Sequence, residues 1–280
     1  MNQNNNPQWL RTWQSQFKTC IQVYEELRDR ARNRVLSLSE MAEVESLIQK
    51  HAAIHEKCST LCPDDSCGSE YRKLEKEKFA LCDRIRKYWK EHGFSNMLIR
   101  QNGKVGMRSM YGGIAVPPCY EDINFTYEDQ EFFYKSFFVV KQDGKWGVVN
   151  ERQQIVIPFD YDLIFRQPYS SYTFIVVQGE KQGVMYIDID TLSAKTGVPC
   201  EMDAIYHVPG WGISIFSKNG KYGWWWESNV DIYHNYNEPE FDEVFFPPIE
   251  EVEQYDDDSD ELFAVRKGDR YSEVLYWTAK

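Results

Sequence analysis

The sequence predicts an α+β protein with a helical bundle over residues 1–96 and a β-repeat array over residues 97–280. Three observations carry that expectation. Apolar residues recur at helical spacing in the first part, and hairpin-turn text recurs about every 40 residues in the second. The charge balance also changes between them: the first 96 residues carry a net +2 and the remainder a net −14.

Trp9, Trp13, Phe17, Cys20, Ile21, Tyr24 and Leu27 step by threes and fours and predict a first helix. A second begins near Ser37, with Glu40 placed for a capping box. Met41, Val44, Ile48, His51, His55, Cys58 and Cys62 form its stripe, and Pro63-Asp64-Asp65 ends it. A third runs from about Ser69 to His92, striped by Tyr71, Leu74, Leu81, Ile85 and Tyr88, with Gly93 placed to cap it. Short connections between the three predict an antiparallel three-helix bundle.

The second part repeats. "QNGK" (101–104), "QDGK" (142–145), "GEKQ" (179–182), "NGKY" (219–222) and "KGDR" (267–270) each follow an apolar run. Asn-Gly and Asp-Gly mark two-residue hairpins, because a type I′ turn needs positive φ at both central residues. Past each of the first four turns stands a glycine, Gly106, Gly147, Gly183 or Gly223, at spacings of 41, 36 and 40. Strands approaching proline follow, as in "AVPPCYEDI", "VIPFDYDLI" and "GVPCEMDAI", with "EPEFDEV" a weaker fourth. Four repeats and a partial fifth result, in which each unit buries its apolar face on a neighbour. The array starts with a lone pre-turn strand, "MLIR", and ends with a lone post-turn strand, "EVLYWTAK". It can be an open sheet or solenoid, or a small propeller-like closed array. The unmatched ends favour closure, with the last strand pairing beside the first hairpin.

The text "GKWG…IVIPFDYD" resembles the WG-repeat, or KWG-repeat, family over residues 97–280. Lys145, Trp146, Gly147, Pro158, Tyr161 and Asp162 carry the resemblance; Pro199 is in register with Pro158, and Val105, Gln182 and Tyr222 replace the tryptophan elsewhere. The fifth copy has Ser272 in place of the glycine. The resemblance implies a β-structural module of a kind found in many bacterial proteins, with no shared catalytic residue.

His51, His55, Cys58 and Cys62 share one helical face and are residue types that zinc prefers. One straight helix spreads them over about 16 Å, too far for all four to reach one ion. They are read as buried structure, and no metal or cofactor is expected. No G-x-S-x-G, Walker or H-E-x-x-H motif occurs. His207 and His234 lack a partner in the repeat pattern, and Cys119 and Cys200 each follow a proline as packing residues. In "EEVEQYDDDSDE" (250–261) the aspartates alternate, but an EF-hand loop from Asp256 would need glycine and a carboxylate where Glu261 and Lys267 stand. A solvated loop is expected. "KYGWWWE" puts Tyr222, Trp224 and Trp226 on one strand face and Trp225 on the other. Trp226 aligns with Ser109, Asn150 and Tyr186, mostly polar positions, so it is the candidate binding residue, with Glu227 and Asp231 beside it.

The acidity of the repeat half argues against nucleic acid, which needs clustered Lys and Arg. The start "MNQNNNPQWLRTW" has no basic-then-apolar leader pattern, and no apolar run reaches membrane-spanning length. Seven cysteines without an even framework fit reduced thiols, so a cytoplasmic location is expected. The leading expectation is a non-enzymatic interaction protein whose acidic, aromatic β-surface binds another protein, a basic one among the options. Carbohydrate binding through exposed aromatics is the alternative, and an enzyme with an unrecognised site comes last.

Overall fold

Ser37 is extended, and its hydroxyl accepts from the Glu40 amide at 3.3 Å while the Glu40 carboxylate accepts from the Ser37 amide at 2.8 Å. The capping box is formed, and it opens a helix. The computed structural model describes residues 11–12, 17–32, 37–61, 68–92, 97–124, 137–167, 172–188, 190–208, 213–226, 236–246 and 261–276. Its helices are α1 (Cys20–Arg32), α2 (Leu38–Thr60) and α3 (Gly68–His92). Val44, Leu47, His51, Ile54 and Cys58 are the buried stripe of α2, and Leu81, Ile85, Tyr88 and Trp89 of α3 share its core. Tyr88 donates its hydroxyl to the Glu40 carbonyl at 2.6 Å and ties the two helices at one end.

The expected three-helix bundle does not form, and the α+β class is corrected to mostly β, with 52% strand and 29% helix among the described residues. Arg11–Thr12, inside the first expected helix, is a short strand, β1. Cys20 and Tyr24 of α1 pack on sheet residues, Tyr24 stacking on Phe165 at 4.5 Å, rather than on α2 and α3. Aromatic spacing of three and four fits a helix, but these side chains are recruited by the large β-surface, and tertiary packing overrides the local pattern. Trp9, Trp13, Cys62, Pro63 and Gly93 lie outside the described residues.

The strands form five small antiparallel sheets, none of them closed. The first holds β2 (Leu98–Gln101), β3 (Lys104–Arg108) and β4 (Ile114–Tyr120). The second holds β5 (Asp122–Asn124), β6 (Phe137–Gln142), β7 (Lys145–Asn150) and β8 (Ile155–Tyr161). The third holds β9 (Leu163–Arg166), β10 (Thr173–Gln178), β11 (Lys181–Ile187) and β12 (Ala194–Met202). The fourth holds β13 (Ala204–His207), β14 (Ile213–Lys218), β15 (Lys221–Trp226) and β16 (Asn237–Phe241). The last holds β17 (Glu243–Phe246), β18 (Glu261–Lys267) and β19 (Arg270–Tyr276), with β1 beside β17. Among the described residues β19 pairs with β18 and β2 with β3, so the expected pairing of the last strand with the first hairpin is absent.

In each complete sheet a short lead strand (β5, β9, β13) precedes the hairpin, and a proline-bearing closing strand (β8, β12, β16) follows it. Asn102-Gly103, Asp143-Gly144 and Asn219-Gly220 all have positive φ, as type I′ turns require. At the third and fifth hairpins only the glycine, Gly179 or Gly268, is in that region.

Two compact units divide the chain: residues Met1–Glu26 with Asp160–Lys280, and Leu27–Phe159. In the first, the fourth sheet feeds two cores. Ile213, Ile215, Tyr222 and Trp224 join one, and Phe216 and Trp225 join the other. The expected alternation in "YGWWW" is therefore a sheet buried on both faces. In the second unit, α2, α3 and the first two sheets share one core.

The repeat glycines are required by proximity. A Cβ on Gly106 would lie 2.5 Å from the Val116 carbonyl oxygen, on Gly183 2.7 Å from Cys200 Cα, and on Gly223 2.3 Å from the Asn237 carbonyl oxygen. On Gly147 it would meet Phe159 at 2.8 Å and the Ile157 oxygen at 2.9 Å. Opposite three of these glycines the closing strand bulges: Gln182 and Val184 pair with Met202 and Val198, leaving Pro199-Cys200-Glu201 facing Gly183. The same occurs at Gly106 and Gly223, so Pro117, Pro118 and Pro239 also sit in bulges. Proline cannot donate to a ladder, and the bulge is where a ladder bond is not needed.

A carboxylate stands at the one-residue break between each closing strand and the next lead strand. Its own amide donates to the coming hairpin: Glu121 to Lys141 O, Asp162 to Val177 O, Asp203 to Ser217 O and Asp242 to Arg266 O, at 2.7–2.9 Å. Its side chain accepts from that hairpin's turn: Glu121 from the Gly144 amide at 3.1 Å, and Asp162, Asp203 and Asp242 from Gly179, Asn219 and Gly268 at 2.7 Å. Lys181 also pairs with Asp203, and Lys221 with Asp242. Those ammonium groups first, and the turn amides second, hold both carboxyls below the usual range.

Gly223→Ala is expected to lower unfolding stability by about 2–3 kcal/mol in urea titration, the scale of overpacking against backbone. Gly68→Ala, with open space around it, should leave stability unchanged or raise it slightly. Loss of less than about 0.5 kcal/mol at Gly223 would refute the close-packing account.

Asp203 and Asp242 have depressed folded pKa values, so their stabilisation is full above the ordinary 3.8 and is lost as pH falls below it. The stability gap between wild type and Asp203→Asn should therefore be widest near neutrality and narrow below about pH 4 in acid-titrated thermal unfolding. A constant gap would contradict it.

Candidate binding cleft

The connection between β3 and β4, "SMYGG", is shaped to meet α2. Gly112 and Gly113 take φ of +100° and +82°, and the Ser109 amide donates to the Gly113 carbonyl at 3.2 Å. A Cβ on Gly112 would lie 2.8 Å from Ile48 Cγ2, so only glycine lets the turn approach the helix this closely. Trp89 of α3 donates its indole N–H to the Met110 carbonyl at 3.3 Å. Tyr111 stacks on His51 at 4.8 Å, and Arg108 pairs with Glu45 at 3.2 Å.

These contacts leave a cleft of about 380 Å³ between α2, α3 and the first sheet. Met41, Val44, Ile48, Trp89 and Ile99 make it apolar, and the Arg108–Glu45 pair supplies opposite charges at its edge. Ile114, on its rim, is 65% exposed. Leu38, one turn before Met41, is exposed on the same side of the helix. A concave apolar site with few polar groups is the usual form of a binding pocket.

Ile99 has a position-specific history in the repeats. Counting back from each turn, it is equivalent to Val140, Val176, Phe216 and Val265, all at most 2% exposed. Ile99 is only half-buried. In the other four sheets a lead strand covers that residue: Ile123, Ile164, Ile205 and Val244 are its register partners. The first sheet has no lead strand among the described residues.

Other sequence candidates fall elsewhere. Trp226, on β15, is half-buried, packs against the core with Trp224, and pairs with Ile213. Glu227, Asp231, His234 and the run 251–260 lie outside the described residues. Trp146 is buried with Lys141 5.8 Å from its ring centre, and Tyr161 donates its hydroxyl to Met185 Sδ at 3.3 Å. Cys119 is exposed and Cys200 half-buried. His51 and Cys58 are buried on α2 while His55 is exposed, and no group of three or more metal-ligating side chains is found among the described residues. No helix there is long and apolar enough to cross a membrane. Sequence reasoning missed the cleft; its signals were the lone "MLIR" strand and the Gly112-Gly113 pair.

No protein-family model matches the chain, and no curated protein matches it either.

His51 Nδ1 is buried without a hydrogen-bond partner among the described residues, and burial first, then His55 and Lys78, push its pKa below 6.5. Its neutral form is the one the fold accepts, so the stability that depends on it is full above pH 6.5 and falls as pH drops below that value. His51→Leu should lose less melting temperature than wild type between pH 7 and pH 5. Parallel melting curves for the two would count against this role.

Proposed function

We propose that this chain is a non-enzymatic binding protein that takes a segment of another protein in the cleft between α2 and the first sheet. The observation that carries this is Ile99, half-buried in a 380 Å³ apolar cleft at a position that is closed in the other four hairpins. Exposed apolar surface collected around a concavity favours association, and its centre is where binding energy concentrates. The net charge of −14 in the repeat half is a weaker guide, since Glu121, Asp162, Asp203 and Asp242 are engaged by turn amides. The resemblance of the second repeat to WG repeats fits a scaffold role.

Affinity capture with wild type, Ile114→Asp and Trp226→Ala, followed by titration of the captured partner, tests the site. Ile114→Asp should weaken binding at least tenfold while unfolding stability stays within about 0.5 kcal/mol, as for a surface change. Undiminished binding by Ile114→Asp, with loss on Trp226→Ala, would move the site to the β-surface.

A further inference from the structure

The missing lead strand defines its own replacement, because the chain fills the same place four times. Each filling segment puts a carboxylate at the turn and a β-branched residue two positions on: Glu121 and Ile123, Asp162 and Ile164, Asp203 and Ile205, Asp242 and Val244. That second residue is at most 2% exposed in all four. At the position between them, two of the four are also acidic and face a base. Asp122 is opposite Lys141, and Glu243 accepts from Arg266 Nε at 2.7 Å.

The first hairpin has the receiving half of this arrangement. Arg100 stands where Lys141 and Arg266 stand in their strands, and it is exposed. The Asn102-Gly103 turn has the positive φ values of its counterparts, and no carboxylate reaches it among the described residues. Residues 97–120 contain Arg100, Lys104 and Arg108 and no Asp or Glu, within a half whose net charge is −14. Among the described residues the edge of β2 is thus locally basic, open and apolar at Ile99.

Resting on the binding role proposed above, we infer that the partner contributes an extended segment of the form acid–acid–Ile/Val, which adds antiparallel to β2. The first carboxylate accepts from the Asn102 or Gly103 amide, and its own N–H donates to the Arg100 carbonyl. The second carboxylate pairs with the Arg100 guanidinium, and the β-branched side chain covers Ile99 at the cleft. Backbone pairing supplies affinity and the alternating side chains supply selectivity, as in other strand-addition complexes.

The probe is a fluorescein-labelled peptide of this chain's own residues 239–246, PEFDEVFF, titrated with the full-length protein by anisotropy at low salt. Binding is expected, at least tenfold weaker for the peptide carrying Asn and Gln in place of its Asp and first following Glu, and at least tenfold weaker for Arg100→Glu protein. Ile99→Thr, which keeps a β-branched strand residue, should also weaken it, and bound peptide should slow amide exchange over residues 98–103. No binding, or equal binding of a scrambled peptide, would overturn the segment. If the peptide fails while Ile114→Asp still abolishes partner capture, the binding role survives and the strand chemistry falls. A concentration-dependent dimer in sedimentation, dissociated by the peptide, would overturn a separate partner in favour of a second copy.

Discussion

Gly106, Gly183 and Gly223 each face three consecutive residues of a bulged strand at distances that leave no room for a Cβ, and the rest of the β-architecture follows from that approach. A closing strand that bulges over a glycine lets the flanking residues return to register, so Val116, Val198 and Val105 stay buried while the prolines stand outside the ladder. The fifth hairpin is instructive. Its equivalent residue is Ser272, and no closing strand pairs with β19 among the described residues. The glycine is kept where another backbone must pass, and it is absent where none does.

The carboxylate that follows each closing strand extends this order from one sheet to the next. Its position forces a break after Tyr120, Tyr161, Met202 or Phe241, and both its amide and its side chain are then claimed by the next hairpin. Because the bonds go to backbone groups at a turn, the acid specifies where the next sheet begins and not merely that one follows. Charged acceptors on backbone N–H groups are among the stronger hydrogen bonds. A share of the chain's acidity is therefore architectural, and the basic residues nearest it, Lys181 and Lys221, are its local counter-charges.

The helices complete the first sheet. Its closing turn is packed by α2 and α3 through Gly112, Tyr111 and Met110, and the cleft between the helices and that turn reaches Ile99 of β2. Fold and candidate site thus have one origin: the array starts mid-repeat, and its first hairpin inherits an apolar, positively charged edge that the pattern elsewhere covers.

Much of this was legible in the residues themselves. The capping box at Ser37, the two long helices and the Asn-Gly and Asp-Gly hairpins depend on neighbours within four residues, and local chemistry determined them. The glycine and proline marks of the repeat were also visible, because each reflects a backbone constraint that few residues satisfy. What residues 11–12 and 17–32 do was decided only by tertiary structure. A three- and four-residue spacing of aromatics says that one face is apolar, but not whether helices or sheets will bury it, and Tyr24 found Phe165. The cleft was decided the same way. Ile99 reads as one more strand residue in the sequence, and it becomes a candidate site only because the strand that covers its four equivalents has no counterpart beside β2 among the described residues, an absence that no local pattern encodes.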